Sequence, residues 1–257
     1  MFEKEKITVS MQNAFKSIAG QFSGEIYFDG SPFHQTQLMT YSTDASVYQE
    51  KPLAVTLPKD VNDIKLLIDF AATNKLTLIP RAAGTSLAGQ VVGSGIIVDI
   101  SKYFNKIIEV NADEKWVKVQ PGVIRDDLNF YLRPYGLVFG PETSTANRAM
   151  IGGMVGNNSC GLHSIVWGAV RDHLLEASVI LSDGSDAVFK PEELTIADES
   201  EFKGHIYTSL FNLLSAKHNQ ELILKNFPKS TVVRRNSGYA LDALLAMRPF
   251  KKNRPGV

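Results

Sequence analysis

The sequence is poor in cysteine and in long apolar runs, and both absences restrict what it can be. A single cysteine, Cys160, excludes an intramolecular disulfide and a cysteine-rich metal site, and it fits a reducing compartment. No run reaches the roughly 18 apolar residues of a membrane span. The charged N-terminus lacks the apolar core of a signal peptide. We therefore predict a cytoplasmic protein without a membrane span, either free or attached peripherally at the inner membrane.

The chain also lacks an excess of charge of either sign. Lysine and arginine together number 27, as do aspartate and glutamate, so no net field favours a nucleic acid or an anionic membrane surface as a partner. The apolar share of 44% and the charged share of 21% are those of an ordinary globular protein. A length of 257 residues allows one large domain or two smaller ones that share a core.

Hydrophobic periodicity predicts a mixture of helices and strands. Apolar residues at helical spacing indicate an amphipathic leader helix within residues 1–27. Ala54–Leu57, a helix capped by Asp60 and Leu76–Ile79 together predict one parallel βαβ unit. Further strands are predicted at 96–100, 107–110, 116–119, 178–181, 187–189 and 231–235, and further helices at 125–135, at 201–226 and from 241 onward.

A glycine-rich loop follows the second strand of this unit, and it is the first candidate site. Pro80–Gln90 reads Pro-Arg-Ala-Ala-Gly-Thr-Ser-Leu-Ala-Gly-Gln. Its small residues leave the backbone unshielded, so successive N–H groups can turn toward one point and bind an anion, typically a phosphate. A mobile surface loop is the alternative interpretation.

A second stretch of the same kind lies about sixty residues downstream. It comprises Pro141–Thr145 and Ile151–Gly161, the latter ending in Gly-Asn-Asn-Ser-Cys-Gly. Six small or amide residues in a row are costly inside a helix, since glycine alone loses about 1 kcal/mol there. They suit a backbone that must pass close to something flat or charged. Two such stretches predict one long ligand held from both sides, with a dinucleotide favoured over a mononucleotide. The alternative is two crowded turns where helices cross strands.

The two commonest nucleotide motifs are absent. Neither stretch gives Gly-x-Gly-x-x-Gly between a first strand and a helix with an acidic residue about twenty positions on. Neither is followed by Gly-Lys-Ser or Gly-Lys-Thr. The ligand is therefore not expected to lie in a Rossmann or Walker cradle.

Three passages resemble a known family. Pro80–Gln90 resembles the first pyrophosphate loop of the FAD-linked oxidases of the vanillyl-alcohol-oxidase type, in the branch of glycolate oxidase, D-lactate dehydrogenase and D-2-hydroxyglutarate dehydrogenase. Ile151–Gly161 with Gly168–Asp172 is similar to its second flavin-binding segment. Arg234–Asp242 is similar to the passage that leads such chains toward the substrate domain. The likeness runs in family order from about Tyr41 to Asp242.

The resemblance implies an α+β fold, a PCMH-type FAD-binding domain of two α+β subdomains. These would span residues 28–100 and 101–230, with 231–257 beginning a linker to a substrate or cap domain beyond the chain. The implied FAD contacts are Arg81, Ala82, Ala83, Gly84, Thr85, Ser86, Gly89, Gln90, Pro141, Glu142, Thr143, Thr145, Ile151, Gly152, Gly153, Asn157, Asn158, Ser159, Gly161, Gly168 and Val170. Some relatives attach FAD covalently through a histidine in the first loop. Thr85 and Ser86 stand there instead, so we expect noncovalent FAD.

The resemblance also implies a function. In the complete enzyme, the flavin would accept a hydride from a small 2-hydroxyacid and pass electrons to a cytochrome, a quinone or an electron-transfer flavoprotein. The substrate arginine, metal-binding histidines and catalytic base of the family would lie beyond this chain. We therefore expect no catalytic residue here and an inactive isolated domain. The alternatives are an alcohol or sugar oxidase, a MurB-like reductase, or a module that holds FAD without turnover.

The remaining reactive residues are weaker candidates. His163 and His173 flank the second segment, but a histidine there is more often a hydrogen-bonding group of a loop than a base. They lie ten residues apart with no third ligand nearby, so a zinc site is not predicted. Cys160 is best explained as a small buried residue. Arg81 would compensate pyrophosphate charge or pair with a carboxylate, and the sequence leaves both open.

Overall fold

The computed structural model describes residues 2–191, 201–229, 231–232, 238–247 and 249–250. Within them the chain forms two compact units, Met1–Leu162 and His163–Val257. The predicted subdomain boundary at residues 100 and 101 falls inside the first unit and stays a prediction. Most of the predicted 231–235 strand lies outside the described residues, as does much of the predicted linker.

The first unit begins with a four-stranded sheet and three helices. In chain order these are α1 (Phe2–Ala19), β1 (Glu25–Tyr27), α2 (Pro32–Thr40), β2 (Ala54–Leu57), α3 (Val61–Asn74), β3 (Leu78–Arg81) and β4 (Ile96–Asp99). The strand order is β1-β2-β4-β3. Strand β1 runs antiparallel to β2, whereas β2 and β3 both run parallel to β4. The predicted βαβ unit is thus present, with β4 inserted between its two strands.

Alternation along the strands builds a core on each face of this sheet, because successive side chains of a strand point to opposite faces. Ala54, Ile96 and Val98 pack with α1 and α3, where Phe15 and Leu67 are fully buried. The intervening residues pack with Leu38 of α2; they are Val55, Leu57 and Ile97. The carboxyl ends of β3 and β4 then place the first glycine-rich loop and Asp99 at one edge of the sheet.

Two predictions for this part need correction. The leader of residues 1–27 is helical only to Ala19, after which the chain turns and contributes β1. Gly24 packs so closely that a Cβ there would overlap the carbonyl oxygen of Leu57. The strand predicted at Leu76–Ile79 lies two residues later, because its pairing with β4 continues to Arg81 opposite Asp99. Pro80 is accommodated because β3 is an edge strand.

The first unit continues with a hairpin and a helix that packs on it. Strands β5 (Ile107–Asn111) and β6 (Trp116–Val119) pair antiparallel, and α4 (Arg125–Leu132) follows with a 3-10 turn at Arg133–Tyr135. Leu128 and Leu132 of α4 are buried against this hairpin. Gly136 ends the turn in the left-handed conformation. A short helix, α5 (Ile151–Gly156), lies within the second glycine-rich stretch.

The second unit contains a hairpin and a group of helices. Its elements are α6 (Ser164–Trp167), a 3-10 turn at Val170–His173, β7 (Ala177–Ile180), β8 (Asp186–Phe189), α7 (Phe202–Ser215), α8 (Lys217–Asn226) and α9 (Leu241–Leu245). The strands predicted at 178–181 and 187–189 are present as this hairpin, with Gly184 of its turn at φ 83°. The single helix predicted at 201–226 is wrong, because Ala216 is extended and divides it.

Candidate functional site

The first glycine-rich loop, residues 82–95, joins β3 to β4 without helix or strand. Ala82 to Ser86 are half-buried, and Gly84 has φ 64°, a left-handed backbone that glycine adopts without strain. Ser86 Oγ accepts a hydrogen bond from Gln90 N–H at 3.2 Å, which closes the far side of the loop. Gly89 also has a positive φ, of 73°. Of residues 82–86, only Thr85 and Ser86 have a side chain larger than a methyl group.

Residues 41–50, which we call the strap, lie against this loop. Ala45 N–H donates to the carbonyl oxygen of Gly84 at 3.1 Å. The ring of Tyr48 packs on Gly89, where a Cβ would come within 2.7 Å of the ring. The strap is closed on itself by a bridge between Thr43 and Gln49. The loop is thus supported by a segment about forty residues earlier in the chain.

Arg81, the first predicted contact residue, is hydrogen-bonded to the strap. Its Nη1 donates to the carbonyl oxygens of Thr43 at 2.8 Å and Tyr41 at 3.4 Å. Its guanidinium carbon also lies 5.1 Å from the centre of the Tyr41 ring, in cation–π range. The contacts of Arg81 in the described residues include no carboxylate within ion-pair distance. Of the two roles that the sequence left open for Arg81, pairing with a carboxylate is therefore not found among the described residues.

The Tyr41 ring is itself held in place by a buried carboxylate. Its hydroxyl donates to Asp99 Oδ2 at 2.5 Å, and Ser101 N–H donates to Asp99 Oδ1 at 2.7 Å. Asp99 is only 4% exposed. Burial, reinforced by the hydrogen bond to Asp99, raises the pKa of Tyr41 well above its usual range. Tyr41 therefore remains a protonated donor at any physiological pH.

These groups line a cavity of about 420 Å³ beside the first loop. Ala82 and Ala83 contribute from the loop, and Met150 and Arg148 contribute from the approach to α5. Arg81 and Arg148 bring two positive charges, whereas the one acidic residue lining the cavity, Asp99, already accepts two hydrogen bonds. The cavity is therefore suited to an anion.

The second glycine-rich stretch is held by α4. Arg125, with a side chain 13% exposed, donates from Nε to the carbonyl oxygen of Pro141 at 3.1 Å. Asn129, one turn later, makes two hydrogen bonds to the backbone of Phe139, accepting from its N–H at 2.7 Å and donating to its carbonyl at 3.1 Å. Pro141 is fully buried. The start of this stretch is consequently fixed by its own neighbours in sequence.

The later part of the stretch is packed backbone on backbone. Glu142 N–H donates to the carbonyl oxygen of Cys160 at 3.3 Å, and a Cβ at Gly161 would overlap the carbonyl oxygen of Glu142. A Cβ at Gly152 would likewise overlap Pro121. Only a residue without a side chain fits at either glycine, so this packing dictates the composition there.

The structure brings the two predicted stretches together within the first unit. A Cβ at Gly153, in the first turns of α5, would lie 3.3 Å from the Cβ of Ala82. Several of the remaining predicted residues of the stretch contact one another. Thr143 and Thr145 join their hydroxyls at 3.1 Å, Asn157 Nδ2 donates to Ser159 Oγ at 3.0 Å, and Asn158 has φ 46°.

Two predicted contact residues, Gly168 and Val170, lie in the second unit. Gly168 has φ 69°, and a Cβ there would approach the Asp172 carboxylate to 2.6 Å. Asp172 Oδ2 accepts from Ala169 N–H at 2.8 Å. Val170 is 2% exposed. Their role as FAD contacts stays a prediction.

The weaker candidates are placed as follows. His173 Nε2 lies 2.6 Å from the carbonyl oxygen of Trp167, and His163 precedes α6. The free thiol of Cys160 is half-buried rather than buried. Across the described ranges, no three histidine, cysteine, aspartate or glutamate side chains come together as a metal site. In the same ranges no helix is long and apolar enough to cross a membrane.

Sequence reasoning missed five side chains that shape the site. Tyr41 and Asp99 are 58 residues apart, and no local pattern joins them. Arg148 belongs to neither quoted passage. Arg125 and Asn129 carry a signal that could have been used, since two polar residues at i and i+4 share one face of a helix and point at one neighbour.

Comparison with known proteins identifies the family. Residues 52–187, more than half of the chain, match a family described as FAD binding domain. The chain belongs to this family. Its cofactor is FAD, and the small residues of the first loop together with the two arginines of the cavity suit the cofactor's pyrophosphate.

Curated relatives are considerably longer than this chain. It is 41% identical over 198 residues to D-2-hydroxyglutarate dehydrogenase of Escherichia coli (strain K12), covering 74% of this chain and 19% of that protein. It is 32% identical over 166 residues to glycolate oxidase subunit GlcD of Bacillus subtilis (strain 168), covering 64% and 35%. A mitochondrial D-lactate dehydrogenase [cytochrome] of Kluyveromyces lactis is 32% identical over 140 residues, covering 53% and 24%.

Solved structures agree on the fold. Alkyldihydroxyacetonephosphate synthase superposes with a TM-score of 0.61 at 15% identity, covering 75% of this chain and 40% of that one. 6-Hydroxy-D-nicotine oxidase from Arthrobacter nicotinovorans gives 0.58 at 18%, covering 67% and 37%. At these identities the likeness shows the fold alone. The predicted α+β, PCMH-type FAD-binding fold is confirmed.

Proposed function

We propose that the intact protein oxidises a small D-2-hydroxyacid and that this chain is its FAD-binding part. The observation that carries the proposal is the joint similarity to D-2-hydroxyglutarate dehydrogenase, glycolate oxidase subunit GlcD and D-lactate dehydrogenase, at 32–41% identity. The chain spans only about a fifth of the length of the first of these and about a third of the second. Substrate, acceptor and activity of the whole protein therefore belong to the proposal.

The first loop and the second stretch would hold the cofactor from two sides. Backbone N–H groups from Arg81 to Ser86 would face the pyrophosphate, and Pro141–Thr145 with Ile151–Gly161 would line the ribityl chain and the flavin. Bound FAD supplies flavin N5 as the acceptor of a hydride from C2 of the hydroxyacid. This chain would position that acceptor and exclude water from one side of it.

The attachment of FAD would be noncovalent. None of the five histidines lies in the first loop, where Thr85 and Ser86 follow Gly84. Electrons would pass to a cytochrome, a quinone or an electron-transfer flavoprotein. A mitochondrial relative is a D-lactate dehydrogenase [cytochrome] by name, which supports the first of these. A cytoplasmic location, free or peripheral at the inner membrane, completes the proposal.

The test is an anaerobic titration of the intact protein, followed by the visible flavin spectrum. We expect a two-banded spectrum, release of intact FAD on denaturation, and bleaching by D-lactate, D-2-hydroxyglutarate or glycolate. The L-enantiomers of the two chiral acids are matched controls and should leave the spectrum unchanged. Bleaching by NADPH instead would replace the dehydrogenase by a reductase. If none of these compounds bleaches the flavin, the protein would be a module that holds FAD without turnover.

A further inference from the structure

We infer that the two arginines of the cavity do different work: Arg148 binds the pyrophosphate of FAD, and Arg81 positions the loop that surrounds it. The inference rests on the FAD site of the proposed function but not on the identity of the hydroxyacid. It departs from the sequence interpretation, which left Arg81 either to compensate the pyrophosphate charge or to pair with a carboxylate and assigned no role to Arg148.

The guanidinium of Arg81 is already engaged by the protein. One of its terminal nitrogens, Nη1, can donate two hydrogen bonds, and it makes two, to Tyr41 and Thr43 carbonyl oxygens. Its guanidinium carbon lies over the Tyr41 ring, and the other terminal nitrogen, Nη2, lies 2.5 Å from where a Cβ of Gly84 would be. An arginine in this state acts as a clamp between strap and loop.

The clamp is one of three points at which the strap bears on the loop. The second is the hydrogen bond from Ala45 N–H to Gly84, and the third is the Tyr48 ring on Gly89. Tyr41, the partner of Arg81, is fixed in turn by buried Asp99. A loop held at three points has its amides oriented before the anion arrives, which lowers the entropic cost of binding.

Arg148 differs from Arg81 in what its guanidinium contacts. It is exposed, and within the described residues its guanidinium makes a single hydrogen bond, from Nη1 to the neighbouring surface side chain of Asn147 at 3.0 Å. Its backbone is fixed, because its N–H donates to Thr145 at 2.8 Å. A cation with unused donors on a fixed backbone, lining the same cavity as Ala82 and Ala83, can form charge-assisted hydrogen bonds with a phosphate.

The experiment titrates FAD into the apo form of the intact protein at low and high NaCl, following the quenching of flavin fluorescence. Three variants are compared with wild type: Arg148→Gln, Arg81→Gln and Arg81→Lys. Arg133→Gln is the matched control, since Arg133 is exposed, stacks on Phe130 and does not line the cavity. Hydrogen exchange of the Ala45 amide reports whether the strap still holds the loop, and ³¹P resonances of bound FAD report the phosphate environment.

Arg148→Gln should raise the Kd for FAD roughly tenfold, the effect of one lost charge-assisted hydrogen bond. It should also flatten the salt dependence of binding and shift the ³¹P resonances, while exchange at Ala45 stays slow. Arg81→Gln should raise the Kd with the salt dependence retained and exchange at Ala45 accelerated. Arg81→Lys keeps a donor for the two carbonyls and should restore part of both losses.

Wild-type affinity in Arg148→Gln overturns the inference. So does an Arg81→Gln protein that loses the salt dependence while Ala45 stays protected, because that result would make Arg81 the phosphate ligand. A wild-type protein that takes up no FAD overturns the proposed site together with the inference. A wild type that binds FAD while the variants behave otherwise overturns only the division of roles.

Discussion

The two glycine-rich segments of the site are stabilised in different ways. The first loop rests on a strap about forty residues upstream and touches it through the side chains of Arg81 and Tyr48 and through one backbone hydrogen bond, from Ala45. The second stretch rests on the helix just before it and on its own backbone, with Glu142 against Gly161. Side chains can rotate away from an obstacle, whereas a backbone carbonyl in a packed unit cannot. An added side chain in the first segment should therefore be accommodated with a small loss of stability, whereas one in the second segment should destabilise the fold strongly.

Gly161→Ala is expected to have the largest effect. The new Cβ would overlap the carbonyl oxygen of Glu142, and Gly161 also has φ 83°. We expect the free energy of unfolding to fall by about 3 kcal/mol and bound FAD to be lost. Urea unfolding and the flavin content of the purified protein measure both.

The control for this change is Gly156→Ala, five residues earlier. A Cβ at Gly156 meets nothing within 4 Å, and its φ is not positive. The substitution should be neutral or stabilise the protein by up to about 1 kcal/mol, because alanine loses less backbone freedom on folding. Equal damage from both substitutions would contradict the rigid packing assigned to the second stretch.

Arg125→Met is expected to come next. The change keeps the apolar stem but removes donors from the carbonyl oxygens of Pro141 and Phe139. The Phe139 carbonyl keeps its hydrogen bond from Asn129, so the cost comes from the Pro141 carbonyl, which loses a charged donor, and should be about 2 kcal/mol of unfolding free energy. Thermal unfolding measures the loss. Lys118→Met, at an exposed position of β6, is a matched control and should change stability little.

Gly84→Val should separate the two segments most clearly. Its Cβ would lie 2.5 Å from the Arg81 guanidinium, the far end of a flexible side chain, so the fold can adjust at a cost of about 1–2 kcal/mol for the left-handed backbone. The new side chain would displace the Arg81 clamp from the loop.

Gly84→Val should nevertheless weaken FAD binding and raise the Kd at least about tenfold, because the loop amides lose their orientation. Flavin fluorescence titration measures this. Gly20→Ala, at a glycine with nothing within 4 Å, is the control and should bind FAD normally. A Gly84→Val protein that retains full affinity for FAD would move the cradle elsewhere.

Each part of this site could be predicted from the sequence only where the residues in contact lie close together in the chain. The strand Ala54–Leu57, the Asp60 cap and both glycine-rich stretches depend on neighbouring residues, and periodicity and composition are sufficient for them. The strap depends on pairs such as Tyr41 with Asp99, for which no short-range signal exists. Sequence reasoning therefore found the loop but not what holds it.

The same reasoning explains the errors in the fold. The predicted position of β3 followed its apolar run, but the hydrogen bonds of β4 decide where a parallel strand ends, and they continue to Arg81. Helices α7 and α8 share one apolar period, and the break at Ala216 leaves no glycine or proline to mark it. Tertiary pairing overrode the local pattern in the first case, and the second break carried no local signal.

The smallest effect is expected from a substitution outside both segments, at Glu25. It gives a reference against which substitutions in either segment can be compared. Glu25 on β1 accepts hydrogen bonds from Lys102, from Tyr103 at 2.5 Å and from Tyr27. These contacts, Lys102 first, lower the pKa of Glu25 to about 2, and burial together with the bond to Glu25 raises the pKa of Tyr27 to about 12. The cluster is partly exposed, so its contribution is modest.

A lowered carboxyl pKa means that the folded protein favours the ionised form. The stabilisation by Glu25 is therefore complete above its unfolded value of 4.5 and is lost as the pH falls toward 2. Glu25→Gln should reduce the melting temperature slightly at pH 6 and not at pH 2, with unchanged affinity for FAD at neutral pH. Thermal melts across this range measure it. If Glu25→Gln weakened FAD binding as strongly as Gly84→Val, the loss of FAD would follow from lower stability in general and not from the contacts of the first loop. The contrast between the two segments would then no longer hold.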